Sequence, residues 1–221
     1  AEFLLEKGYE VYGLFRRGST NTTQRIADGV FKEIKDYKYG IQFTSFYMPG
    51  EFMPHIRIMK EGYSDIELAK NFDLPYVILR KVRPYDTTTL NYNWQVWETM
   101  AYSFYTTSTT RIDRKSAGMA VLSVMKFLSS QGIVDYKGSL LHESKIVEDV
   151  DMLSVQTAKS GIFEPLVKVG EAVEEGQPLA NIVNPYDGEC METLYSPADS
   201  TVFFMHSDPL TYANTAVFKL I

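Results

Sequence analysis

The sequence predicts an α/β protein that ends in a small all-β module, and three observations predict it. Compact apolar runs such as Tyr76-Val77-Ile78-Leu79 alternate with helical periods as far as Gly132, the pattern of a largely parallel or mixed sheet. Beyond about residue 135, Gly161, Gly170, Gly176, Pro178, Pro185, Gly188, Pro197 and Pro209 break the chain at intervals of roughly ten residues, the spacing of a small barrel or sandwich. Charge divides with the pattern. Of a net charge of −6 over 221 residues, residues 151–221 hold ten Asp and Glu against Lys159, Lys168 and Lys219, or −7, leaving +1 upstream.

Each element follows in order. Ala1-Glu2-Phe3-Leu4-Leu5 is an amphipathic helical pattern that stops at Gly8, and Tyr9–Phe15 reads as a strand closed by Arg16-Arg17-Gly18. That helix starts without Met and without a capping residue, so the sequence is expected to be N-terminally incomplete. Asn21 or Thr22 caps a second helix with Ile26, Val30, Phe31 and Ile34 at helical spacing. Ile41–Tyr47 is a strand, Pro49-Gly50 a turn, His55–Met59 a short alternating strand, Ser64–Asn71 a short helix and Pro75–Lys81 a buried strand. Residues 85–110 are rich in Thr, Tyr and Trp. They suit either a pocket lining or a packed loop layer against the β module, with Ala101–Tyr105 a strand inside them. Asp113 caps the strongest helix, whose stripe is Ala117, Ala120, Val121, Val124, Met125 and Leu128, ended by Gly132.

Composition excludes several classes. With 45% hydrophobic and 23% charged residues the chain is neither fibrous nor disordered. Cys190 alone gives no internal disulfide and no thiol cluster for zinc, so a reducing, cytoplasmic setting is the default expectation. No run reaches the ~18 apolar residues of a membrane helix, and an acidic module does not bind nucleic acid through its phosphates.

Within the β module, Gly161-Ile162-Phe163-Glu164-Pro165-Leu166-Val167-Lys168-Val169-Gly170, continuing to Leu179 and followed by Tyr195-Ser196-Pro197-Ala198-Asp199, resembles the β domain that closes the succinylglutamate desuccinylase/aspartoacylase family. Gly170 and Gly176 supply tight turns there, with Val167, Val169, Val173 and Leu179 facing inward. The same pattern is similar to the hairpins of lipoyl and biotinyl carriers, but the turn after Pro197 reads Ala198-Asp199-Ser200, without the lysine a carrier modifies. Thr22–Phe31, Ile41–Met59, Thr87–Thr99 and Tyr105–Gly132 resemble the second half of the family's catalytic domain. The resemblance implies a partial zinc-carboxypeptidase-like mixed sheet over 18–145 and a small all-β barrel or sandwich over 146–221; it does not extend to the helix-strand segment 1–17. It also implies a hydrolase: a zinc-dependent deacylase acting on N-acyl amino acids or related amides, small-molecule substrates, with a glutamate taking the proton of zinc-bound water. A homo-oligomer is compatible with this reading.

Departures from the family pattern qualify it. No His-x-x-Glu occurs, Thr44 stands where a later histidine ligand is expected, and Ser103-Phe104-Tyr105-Thr106-Thr107 has no carboxylate at the position of the catalytic glutamate. The substitutes are His55 as a Zn2+ ligand, Glu98 as the catalytic base and Arg57, or Arg111, as the clamp for a substrate carboxylate. Each also has a plain structural reading: a strand-end histidine, a loop carboxylate beside two tryptophans, an arginine paired with a neighbouring acid. His142 and His206 stand too far from His55 in sequence to indicate a metal site. The chain as written is therefore expected to have little or no activity. One competing expectation is a non-catalytic binding or assembly protein that uses the β module or the aromatic segment. Another rests on Ala1–Arg17, which resembles the first helix and second strand of GDP-mannose-dehydratase-type Rossmann enzymes, with Arg16-Arg17 placed for the 2′-phosphate of NADP.

Overall fold

In a computed structural model of the chain, the residues described are 36–44, 48–84, 86, 89–108 and 112–221. The helices and strand expected before residue 35, and Arg111, lie outside them. Residues 35–221 form one compact unit of mixed α/β structure with three sheets and few helices.

The first sheet has the order β1-β5-β3-β4-β6, made by Tyr39–Phe43 (β1), Met100–Tyr105 (β5), His55–Met59 (β3), Tyr76–Arg80 (β4) and Lys145–Glu148 (β6). All pairs are parallel except β3 with β5. Alternation divides its side chains between two faces. One face sends Ile56, Ile58, Val77, Leu79, Tyr102 and Phe104 into a core shared with Phe72, Ala120 and Phe127. The long helix α3 (Arg114–Ser130) covers that face. Its N-cap is Asp113, as the sequence predicts: the carboxylate accepts from Lys115 N at 2.9 Å and Ser116 N at 3.3 Å. Phe127 stacks on Phe72 at 4.2 Å between centroids.

The predicted helix 64–71 is shorter. It runs as α1 (Ile66–Ala69), capped by Asp65 and continued as a 3-10 turn Lys70–Phe72. It ends at Asp73, whose φ of 55° is left-handed. Buried Asp73 ties three segments together: its carboxylate pairs with Lys126 of α3 and accepts the backbone N–H of Leu141 and of His142, each at 2.7 Å. Burial alone would raise its pKa; the bonds from Lys126, His142 and Leu141 outweigh burial and hold the carboxyl below its ordinary range.

Residues 85–110, whose composition suits a pocket lining or a packed loop layer, contain a helix. Helix α2 (Leu90–Val96) is capped by Thr89 and lies on the other face of the first sheet, against β5 and β1. Trp94 fills the space above Gly40, where a Cβ would run into the indole.

The β module consists of two sheets, β11-β10-β8-β13 and β2-β12-β14-β7, built from Gly50–Phe52 (β2), Leu153–Gln156 (β7), Gly161–Pro165 (β8), Pro178–Val183 (β10), Cys190–Tyr195 (β11), Ser200–His206 (β12), Leu210–Thr211 (β13) and Ala216–Leu220 (β14). A short strand, Ala172–Val173 (β9), also pairs with β12. Val167, Val173 and Leu179 are buried in its core and Val169 packs against it. Gly170 and Gly176 take φ of +87° and +79°, which a side chain would resist. The two parts exchange strands: β2 pairs with β12, while β6 completes the first sheet. Phe52, Tyr76, Ile78, Phe203 and Phe204 form a third cluster at this junction. No helix among the described residues is long and apolar enough to cross a membrane.

Candidate functional site

The face of the first sheet opposite α3 is polar, and the register of three strands explains how. Gln42 of β1 and Arg57 of β3 both lie opposite Ser103 of β5, and His55 lies opposite Tyr105. Side chains two apart on a strand share a face, so Gln42, Ser103, Arg57, Tyr105 and His55 form one surface. Gln42 Nε2 and Asn91 Nδ2 donate to Ser103 Oγ at 2.7 and 2.9 Å. Gln95 donates to the carbonyl of Met59 at 3.3 Å. Asn91 and Gln95 come from α2 and are buried, yet Asn91 Oδ1 and Gln95 Oε1 have no hydrogen-bond partner. Thr44, where the family resemblance puts a metal ligand, donates its backbone N–H to Phe104 O at 2.9 Å, and its buried hydroxyl has no partner.

Arg57 lies over the Tyr105 ring at 4.5 Å, and its Nη1 donates to the Tyr105 hydroxyl at 3.3 Å. A guanidinium oriented on an aromatic face in this way is pre-set for a planar oxyanion. The structure places Arg57, the expected carboxylate clamp, on the polar face opposite Ser103.

His55 is fully buried. Its ring stacks on Tyr105 at 4.7 Å and 4°, with Phe203 at 4.9 Å and Phe52 at 6.5 Å. Nδ1 lies 2.8 Å from the Met53 carbonyl, which fixes the proton on Nδ1, and Nε2 has no partner. Burial, then the neighbouring Arg57 and more weakly Lys219, lower its pKa to about 3 against the opposing pull of the Met53 carbonyl. A neutral imidazole is the form a metal needs, but this one is enclosed by aromatic rings, and its free nitrogen faces no other donor. Among the described residues no group of three or more His, Cys, Asp and Glu is placed to hold a metal ion. The described residues do not fit a zinc centre.

Glu98 is exposed, just after α2, with a left-handed φ of 58° and its N–H on Gln95 O at 3.1 Å. It precedes β5, whereas His55 faces the last residue of that strand. At ~3.3 Å per residue the length of β5 puts roughly 17 Å between those levels, so Glu98 and His55 do not converge on one substrate. Cavities also open away from His55, Arg57 and Glu98. A cavity of about 570 Å³ lined by Tyr63, Ser64, Asp65, Glu67, Leu79 and Ile146 opens near the Met100 end of the sheet. Another, of about 370 Å³, lies between Glu61, Gly62, Val82, Tyr92, Gln95 and Val96.

Three residues escaped the sequence reading. Asn91 and Gln95 went unnoticed because α2 did. Thr89 as a cap, followed by Leu90, Trp94 and Trp97 at helical spacing, was the available signal. Lys219 of β14 reaches the same neighbourhood from the far end of the chain, and no local pattern announces it.

No family model and no curated protein matches the chain. Solved structures do. The succinylglutamate desuccinylase/aspartoacylase from Rhodobacter sphaeroides is 17% identical with a TM-score of 0.72, covering 92% of this chain and 64% of that one. The succinylglutamate desuccinylase from a Silicibacter species gives 16%, 0.77, 91% and 63%. The product-bound ectoine utilization protein EutE (DoeB) from Ruegeria pomeroyi gives 17%, 0.75, 93% and 64%. This chain thus spans less than two thirds of their length, and at such identities the likeness is one of architecture. The three-sheet arrangement, the exchanged strands and the polar face belong to a chain with the fold of the succinylglutamate desuccinylase/aspartoacylase structures.

Proposed function

We propose that this chain is a deacylase-type protein whose ligands are N-acyl amino acids or related amides, and that its described residues bind such a ligand without hydrolysing it. The resemblance of 18–145 to a zinc-carboxypeptidase-like domain and of 146–221 to the closing β barrel or sandwich supplies the ligand class. One observation carries the non-hydrolytic part: the end of the sheet where zinc chemistry would be sited carries Thr44, Tyr105 and an enclosed, neutral His55, while Glu98 stands at the other end. Such a face is rich in hydrogen-bond donors and has a guanidinium at its centre. It suits the carboxylate and amide of an acylated amino acid, and among the described residues it has no base placed to activate water.

The test is direct. The purified chain is dialysed, its zinc measured, and hydrolysis of N-acyl amino acids followed by amine release. The expected results are less than one equivalent of retained zinc, no hydrolysis, and saturable binding of an N-acyl amino acid that weakens at least tenfold in Arg57→Met. One equivalent of zinc together with hydrolysis, both lost in His55→Ala, would overturn the proposal.

A further inference from the structure

The cavity of about 370 Å³ is built by three segments that the fold brings to one end of the first sheet. Strands β3 and β4 run parallel and end at Met59 and Arg80, so the residues that follow, Glu61-Gly62 and Val82, leave the sheet side by side. The Glu61 carboxylate fastens them together by accepting the Val82 N–H at 3.2 Å. Helix α2 supplies the remaining wall with Tyr92, Gln95 and Val96, which are three and four positions apart and so share one side of the helix. His55, at the start of β3, is roughly 13 Å from this end, the length of four strand residues.

Two acceptors in that lining are unused. Gln95 is only 6% exposed, and its Nε2 donates to the Met59 carbonyl at 3.3 Å. That bond fixes the amide with Oε1 turned the other way, and Oε1 has no partner. The oxygen lies beside Gly62: a Cβ there would stand 3.5 Å from it, and with no side chain at Gly62 the approach from the cavity is open. The φ of +120° at Gly62 disfavours any residue that would fill this space. Glu61 is the second acceptor. Among the acids at this end of the sheet Asp65 caps α1, Glu67 pairs with Lys70 and Glu148 with Lys60, whereas Glu61 is in no ion pair among the described residues. Lys60 feels Glu61 more weakly than it feels Glu148. A buried acceptor without a donor and a carboxylate without a counter-ion thus line one cavity, whose other side chains are Tyr92, Val82 and Val96. Its complement carries N–H donors and positive charge on a short apolar body.

We infer that this cavity binds a small primary ammonium ion, with Glu61 as its counter-ion and Gln95 Oε1 accepting one of its N–H groups. An ammonium has three donors and no acceptor, so it satisfies both unused groups at once and leaves a donor for water. Val82 and Val96 receive the alkyl body, and an aromatic residue such as Tyr92 favours a cation over a neutral molecule of the same shape. The site uses neither Arg57 nor an acidic ligand, and it goes beyond the reading of the chain as a binder of N-acyl amino acids.

The experiment measures thermal unfolding of the full chain in rising n-butylammonium chloride and, separately, tetramethylammonium chloride, with sodium chloride at matched ionic strength as the baseline. A saturable rise in Tm is expected with butylammonium. Tetramethylammonium has the charge but no N–H, and is expected to bind at least tenfold more weakly. Glu61→Gln can still accept the Val82 N–H, and is expected to fold and to bind butylammonium at least tenfold more weakly than the parent. Gln95→Met is expected to lose the preference for butylammonium over tetramethylammonium; should that variant not fold, Glu61→Gln and the comparison of the two cations decide. Glu175→Gln, at an exposed acid of the β module, is expected to leave the response unchanged. The inference is overturned if butylammonium gives no saturable shift beyond sodium chloride, if tetramethylammonium binds as tightly, or if Glu61→Gln responds like the parent. A failure here leaves the zinc, hydrolysis and Arg57→Met measurements unaffected, so the two proposals fall separately.

Discussion

His55 offers the sharpest quantitative test, because its environment converts into a pH dependence of stability. The imidazole is fully buried and its pKa falls from 6.5 to about 3. The native state therefore binds fewer protons here than the unfolded chain, and stability from this group is complete above pH 6.5 and lost as the pH falls toward 3. Working from those two values, the loss between pH 7 and pH 5 is about 2 kcal/mol. His55→Gln removes the titration while its amide can still donate to the Met53 carbonyl. Urea unfolding followed by tryptophan fluorescence at pH 7 and pH 5, in parent and variant, isolates the His55 contribution as a difference of differences. The parent should lose about 2 kcal/mol more than the variant over that interval. If both lose the same, or if the imidazole titrates near 6.5 by NMR, His55 is not enclosed as described, and the argument against a metal at this position fails with it.

Other perturbations address the frame around the site. Asp73→Ala strands buried Lys126 and frees two backbone donors, and should cost about 3–5 kcal/mol in urea unfolding. Asp73→Asn, which tolerates the left-handed φ, should cost less. Because the Asp73 carboxyl is held below its ordinary range, its contribution is present above the unfolded carboxylate pKa and disappears as the pH falls through the folded one. The parent should therefore approach Asp73→Asn in stability under strongly acid conditions. His206, buried with neither ring nitrogen bonded and its ring edge-on to Phe163 at 5.7 Å, should be replaceable by Phe with a gain of about 1–2 kcal/mol. Gly40→Ala should cost about 1–3 kcal/mol, because its methyl would displace the Trp94 indole.

Much of this architecture is legible in the sequence where a period and a punctuation mark coincide. Tyr76–Arg80 is a short apolar run between turn residues and forms as read; Arg114–Ser130 forms on its Asp113 cap, but its buried face is Ser116, Ala120, Ser123 and Phe127, with Ala117 and Val121 of the expected stripe exposed. Legibility fails where tertiary contacts decide. Leu90–Val96 was hidden in Thr- and Tyr-rich sequence of low helix propensity, and its stability comes from laying Trp94 over Gly40. Gly50–Phe52 reads as part of a turn, and is a strand because β12 supplies its partner from far along the chain. At the site, the surroundings of a side chain are not legible from its own segment, since the enclosure of His55 by Tyr105 and Phe203 and the place of Glu98 ahead of β5 are facts of register.

The two faces of the first sheet pose the remaining question, which is why one of them is polar. The α3 face is built as stability alone would build it, with aromatic and aliphatic side chains in a closed cluster. A sheet covered on both faces normally repeats that solution on the second face. Here the second face carries Gln42, Ser103, Arg57, Asn91 and Gln95, and two of its buried amide oxygens are unbonded, each at a cost of about 1–3 kcal/mol. Apolar residues of similar shape would remove that cost without disturbing the strands. The expense falls beside Arg57, which lies opposite Ser103 and over the Tyr105 ring and is the cation that the proposed acidic ligand would engage. A polar network maintained against its own energetics at that position is what the proposed ligand binding uses, and among the described residues no group of three or more His, Cys, Asp and Glu stands ready for a metal.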